Sequence, residues 1–380
     1  MEEKEKTSSA QNPGLMEKAG LYYFNRYKKI DAKKNPNVEI PDDKTLARKI
    51  RNATIFGAVV SFGIGGISAG GSVFVEEYFA NSPPLILYSW LSGVTLILTI
   101  IEFAVLYWVG LRTVFMISRA AGHPEEDSEF FTGENLPILL SRAALEIPDP
   151  VRHYLGIDPM ARVSKRKLLI IGFIYKLKIL LSNVVAKLIL RRLAGKSILR
   201  ISVAYVSVII TGLWNALVLW KTVNEARLRL FGNLLARHIA KEIFTEEKIQ
   251  SLSERTKIGC IEAIGNSIVL TQNYHPNMLV LLVRLSEILK IKEEKDFANW
   301  ENFLNTLNVV AKEEKFFLLN ILTIAAAFDG KLSRLEKRDL RQAYGEHTQT
   351  YYKRIKDLKN HLLAGRYNAA KEFCDLSFQP

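Results

Sequence analysis

Cysteine is almost missing: Cys260 and Cys374 are the only two in 380 residues, and they lie far apart. Two such residues make neither a disulfide framework nor a thiolate metal cluster, which suits a reducing compartment. Histidine is scattered at 123, 153, 238, 275, 347 and 361, with no two at i,i+4, so ordinary surface or core roles are expected for each. Acidic residues are absent from 159 through 224, and charge of either sign is absent from three stretches. Those stretches are 52–75 and 78–101, 24 residues each, and 201–220, 20 residues. A helix needs roughly 20 apolar residues to cross the hydrocarbon core, so each stretch is long enough. An integral membrane protein is expected. The first run follows some fifty polar residues, too late for a cleaved signal peptide.

What is present is basic. The net charge is +13, and twelve Lys and Arg fall within 159–224, Lys165, Arg166, Lys167, Arg191 and Arg192 among them. These residues flank lipid-length apolar runs, without the aromatic platform or recognition helix of a nucleic-acid site. Anionic headgroups of the bilayer are therefore the expected partner, and nucleic acid is not.

The chain divides into five expected parts. Residues 1–45 read as a polar tail, with an aromatic and basic patch, GLYYFNRYKKI at 20–30, that suits a membrane surface or docking on the protein. Residues 46–119 read as a transmembrane helical hairpin. Basic residues precede its first run and follow its second, while the connector carries Glu76 and Glu77, which puts the termini of the hairpin in the cytoplasm. Residues 120–160 are a polar connector broken by prolines. Residues 161–235 form a second hydrophobic, strongly basic hairpin, expected to dip into or lie on the inner interface, with four full crossings as the rival. Residues 236–380 carry helical periodicity without strand alternation, hence an all-helical cytoplasmic domain.

The first run is rich in glycine. Gly63, Gly66 and Gly70 are expected to let membrane helices pack closely, since small residues bring backbones together. A phosphate loop is excluded, because no Lys-Ser/Thr follows and no strand precedes. Gly195-Lys196-Ser197 fails the same test, with Leu190 where a P-loop needs glycine. Glu102 lies inside the second run, and an intramembrane carboxylate is a functional candidate by default. The competing reading is structural: Glu102 pairs with a base such as Arg200 and holds helices together. The run contains no second acidic residue, so its own sequence draws no proton relay.

Near the C-terminus, AAAFDGKLSRLE at 325–336 imitates half of a calcium loop. With Gly330 sixth and Glu336 twelfth, the first and third positions fall on Ala325 and Ala327, so two of three early ligands are missing. Capping explains the residues: Gly330 ends one helix, and Ser333 with Glu336 opens the next as a capping box.

The longer stretch LLNILTIAAAFDGKLSRLEKRDLRQAYG, 318–345, resembles the tellurite-resistance TerB-like domains of bacteria. The resemblance implies an all-helical bundle that serves as an interaction or metal-sensing module, with Asp329 and Glu336 as the carried-over divalent-metal residues. The second acidic turn of such domains has no counterpart, since Glu246 and Glu247 lack an Asp-Gly. GLWNALVLWKTVNEARLRLFG, 212–232, is similar to bacterial membrane proteins that join hydrophobic hairpins to a TerB-like tail.

No nucleophile-base pair, metal cluster or phosphate loop survives inspection, so no enzyme and no obligatory cofactor is expected. The expected function is a bacterial inner-membrane protein that presents a cytoplasmic helical domain to other proteins, in an envelope or stress response, with self-association through the glycine-rich helix also open. The alternative is a small channel or transporter subunit with Glu102 lining a path.

Overall fold

A computed structural model describes residues 15–34, 41–122, 136–144, 154–159, 200–272, 275–291, 296–329, 332 and 334–380. Among these residues the fold is all-α, with no strand and a single isolated bridge between Tyr154 and Ile157. The opening helices are α1 (Leu15–Lys34), α2 (Asp43–Tyr78), α3 (Pro84–Ala120) and α4 (Leu136–Ala144). Next comes α5 (Arg200–His238), continued by a π-helical turn over Ile239–Ile243. The remaining helices are α6 (Glu246–Gln250), α7 (Glu254–Thr271), α8 (Pro276–Ile288), α9 (Trp300–Val309), α10 (Lys312–Asp329), α11 (Arg334–Tyr344), α12 (Thr348–Ala364) and α13 (Tyr367–Glu372).

Helix α2 starts where Asp42 caps it, its carboxylate accepting from the Thr45 amide at 3.2 Å. Pro84 at the first turn of α3 costs nothing there, because that amide has no helical partner. Both helices are long and apolar enough to cross a membrane. Their surfaces are inverted relative to a soluble bundle. Phe56, Phe62, Ile67, Leu96, Ile100 and Phe103 point outward, while Thr54, Ser61, Ser68, Ser72 and Glu102 are buried. Lipid accepts such a surface at no cost, and water does not.

Helix α5 runs antiparallel beside α2, not across it. Gly57 faces Leu219, Gly65 faces Thr211 and Gly212, and Gly66 and Gly70 face Val208. Arg200, eight residues before Val208, therefore starts α5 level with the far ends of α2 and α3, since both helices rise about 1.5 Å per residue. Its outward side over this stretch is apolar, with Ile209, Leu213, Trp214, Leu217 and Trp220 exposed. The first half of the hairpin expected over 161–235 lies outside the described residues. Beyond Lys221 the same helix reverses character: Val223, Leu230, Phe231, Leu235 and Ala236 are fully buried in the C-terminal helices. The boundary expected after 235 thus falls inside one continuous helix.

The C-terminal helices close around α5 and α10. Leu318, Leu322, Ala325 and Phe328 on α10 are inaccessible to solvent. The helix expected over 246–263 is interrupted, because Ser253 caps α7 through the Thr256 amide at 3.3 Å. Glu314 of α10 seals that break, accepting from the Ser253 amide at 2.7 Å and the Thr256 hydroxyl at 2.8 Å. Burial alone would raise the Glu314 carboxyl, but these hydrogen bonds outweigh it and hold it below its ordinary range.

Within the 1–45 segment the described residues include helix α1 and the start of α2 at Asp43. Phe24 is buried and meets Phe115 edge-on at 6.0 Å, so the aromatic patch at 20–30 docks on the C-terminal end of α3.

Candidate functional site

The buried face of α2 within its apolar run carries Thr54, Gly57, Ser61, Gly65, Ser68 and Ser72. Steps of three and four residues keep all six on one side of the helix. In a soluble helix this stripe would hold Leu or Ile, whereas here every position is small or polar. Lipid gives helices no hydrophobic reason to associate, so close approach and hydrogen bonds take over. A Cβ at Gly65 would stand 2.5 Å from Asn215 Nδ2 and 3.0 Å from the Thr211 carbonyl. Only glycine fits.

Glu102 of α3 is fully buried, and Asn215 Nδ2 of α5 donates to its Oε1 at 2.8 Å. One partner of Glu102 is thus the Asn215 amide, while the side chain of Arg200, the base offered by the structural reading, lies outside the described residues. Nearer the C-terminal end of α2, Ser72 Oγ lies 3.3 Å from Thr95 Oγ1. Ser72, Thr95 and the level of Glu102 are related by the antiparallel register of α2 and α3, as are Gly71 with Leu98 and Gly57 with Thr113. That register sets Glu102 level with residues 65–68 of α2, near the middle of the apolar run. Two buried hydroxyls, Ser61 Oγ and Thr113 Oγ1, have no hydrogen-bond partner.

Beside the N-terminal part of α2 sits Arg227. Its guanidinium donates to the carbonyls of Leu363 at 3.2 Å and Ile50 at 3.5 Å, and also to the Thr54 hydroxyl. Burial lowers its pKa to about 10. These bonds tie α5, α2 and α12 at one point. Beside it, Asp43 accepts from the backbone amides of Asn368 and Ala369 at the start of α13.

The expected packing glycines separate. Gly66 and Gly70 make ordinary contact with Val208, whereas a Cβ at Gly63 would meet nothing within 4 Å among the described residues. Gly63 therefore lies off the helix contact, and the tight positions are Gly57, Gly65 and Gly212. Each residue turns a helix by about 100°, so a two-residue error changes the face. Lys165, Arg166, Lys167, Arg191 and Arg192 lie outside the described residues, as do the side chain of Asp329 and all of Gly330 and Ser333. Glu336, in the first turn of α11, is buried, as is Asp339 one turn on. Among the described residues no group of three or more His, Cys, Asp or Glu is arranged to hold a metal.

Asn215, Ser61, Thr113, Arg227 and Asp43 were not singled out by sequence. Asn215 is the one amide in the 201–220 run, and the three-four spacing of small polar residues on α2 was readable. Both signals were present. Searches against family models, curated proteins and solved structures gave no match to this chain.

Proposed function

We propose that this chain is a non-enzymatic protein of the bacterial inner membrane. Its apolar helices hold a cytoplasmic, TerB-like helical domain at a fixed distance and angle from the bilayer for contact with other proteins, in an envelope or stress response. The observation that carries this reading is the continuity of α5, whose 39 residues expose apolar side chains at one end and are buried in domain core at the other.

The charges support an inner placement of the domain. Arg48, Lys49, Arg51, Arg112, Arg119 and Lys221 cluster at the end where the domain sits, and Glu76 and Glu77 lie at the other. Pro159 belongs to a short segment packed on the domain, where Tyr154 Oη and Ser286 Oγ are 2.8 Å apart. Arg200 begins at the opposite end, which supports four crossings over two. The domain also offers a contact surface. A cavity of about 570 Å³ between α9, α10 and α11 is lined by Leu307, Phe316, Lys315 and His347, and Val309 stands exposed at the α9–α10 turn.

Alkaline carbonate washing and single-cysteine labelling of the full chain test the proposal. The chain is expected to stay with the membrane. Ser82→Cys should label from outside, and Glu346→Cys only after the membrane is opened. Release by carbonate, or outside labelling at 346, overturns it.

A further inference from the structure

We propose that the membrane-length helices conduct protons, with the Glu102 carboxylate exchanging protons toward both faces through a file of buried hydroxyls. The run that contains Glu102 has no second acidic residue, so any partners must come from the neighbouring helices. The α2 stripe supplies them. Toward the outer end, the levels above Glu102 hold Ser68, then the Ser72–Thr95 pair at 3.3 Å. Toward the inner end lie Ser61, Thr113 and Thr54, the last in contact with Arg227. Successive levels on α2 are three or four residues apart, about 4.5–6 Å along the helix. One water bridging two oxygens spans such a step.

A polar stripe alone would be packing. Two further atoms point to a ligand. In these helices Thr54, Ser72 and Thr99 return their hydroxyls to carbonyls four residues back. Ser61 and Thr113 do not: both are completely buried, with no partner for Oγ or Oγ1. They flank the inner side of Glu102, between it and Thr54, where the ligand must be small and able both to donate and to accept. Water has that chemistry. Gly57 and Gly65 keep larger side chains out of the same levels.

The transfer balances without a co-reactant. A hydronium in the file gives its proton to the Glu102 carboxylate, leaving water and the neutral acid. The acid then gives that proton to a water on the other side and returns to carboxylate. One proton crosses per cycle, down its gradient.

The test uses the full chain in vesicles of phosphatidylethanolamine and phosphatidylglycerol, loaded with a pH-sensitive dye and driven by a valinomycin potassium potential. Wild type should acidify the lumen faster than protein-free vesicles. Glu102→Gln keeps an acceptor for Asn215 and should fall to the protein-free rate. Ser61→Ala and Thr113→Val should slow the flux at unchanged incorporation. Gly63→Ala, at a position whose new Cβ meets no described residue, should conduct like wild type. Wild-type flux no greater than protein-free vesicles overturns the proposal, and so does Glu102→Gln conducting like wild type. A matching loss in Gly63→Ala would mark a non-specific leak and overturn it as well. The proposal rests on α2, α3 and α5 crossing the bilayer. Carbonate washing of the same vesicles separates the two: protein that washes off refutes the crossing, and protein that stays without conducting refutes the relay.

Discussion

The carboxylate of Asp43 accepts from the backbone amides of Asn368 and Ala369, both at 3.0 Å, so the first residue of α2 caps the last helix of the chain. Residues separated by 325 positions in sequence thereby close on each other. Gly365, in the left-handed conformation at φ +69°, lets the chain turn there against Ile50 and Phe231. The membrane-length helices and the C-terminal helices are joined at this point as well as through α5.

Asp43→Ala should therefore loosen α13 without unfolding the domain. Loss of a capping carboxylate costs about 0.5–2 kcal/mol. Amide exchange at 368–372 should quicken while α10 stays protected. Unchanged exchange there would show that the cap contributes nothing.

Gly65→Leu and Gly63→Leu should behave oppositely. At 65 the new side chain collides with Asn215 and with the α5 backbone, which separates α2 from α5 and costs the Glu102–Asn215 bond. At 63 its Cβ meets no described residue. Thermal melting in detergent checks this: a clear drop for Gly65→Leu, little change for Gly63→Leu. Equal drops would contradict the register.

Glu262→Gln should stabilise the protein near neutral pH. Burial raises the Glu262 carboxyl above its ordinary range, against the Thr306 hydroxyl donated at 2.8 Å. The folded state then binds its proton more tightly than the unfolded state does. The resulting stability is present in full below the ordinary carboxyl range and is lost as pH climbs through the raised value. Glutamine keeps an acceptor for Thr306 and has no charge to bury. The gain in melting temperature should be present at pH 7 and vanish below the ordinary carboxyl range; a gain of equal size at both would refute the assignment.

A fragment starting at 236 should fail to fold, and one starting at 221 should succeed. The first lacks Val223, Leu230, Phe231 and Leu235, all buried in the domain core. Each such side chain contributes about 1.5–3 kcal/mol when buried. Circular dichroism melts of the two fragments decide it. A cooperative transition in the shorter one would place the core elsewhere.

The long apolar runs were legible because a crossing helix requires a membrane length without charge, while a soluble surface rarely tolerates one. Helical type in the C-terminal half was legible from periodicity. The continuity of α5 was not: its composition changes sharply at Lys221, yet a helix follows backbone geometry and tolerates a change of surroundings along its length. Glu102 stood out by charge, but its partner Asn215 is 113 residues away, and only packing brings them together. The glycine contact was placed on the right helix and partly on the wrong face, because a partner's position decides which glycines matter. The break at 251–253 was hidden, since Ser253 acts as a cap only once Glu314 arrives from α10.

At 39 residues, α5 is about 58 Å of unbroken helix, with exposed apolar side chains along one half and a close-packed interior around the other. Such a member behaves as an axle. A tilt or twist imposed by bilayer thickness or lateral pressure reaches the far end with little loss, because close-packed interiors deform little. The wider π-helical turn at Ile239–Ile243 is the first place along it where torque can be absorbed.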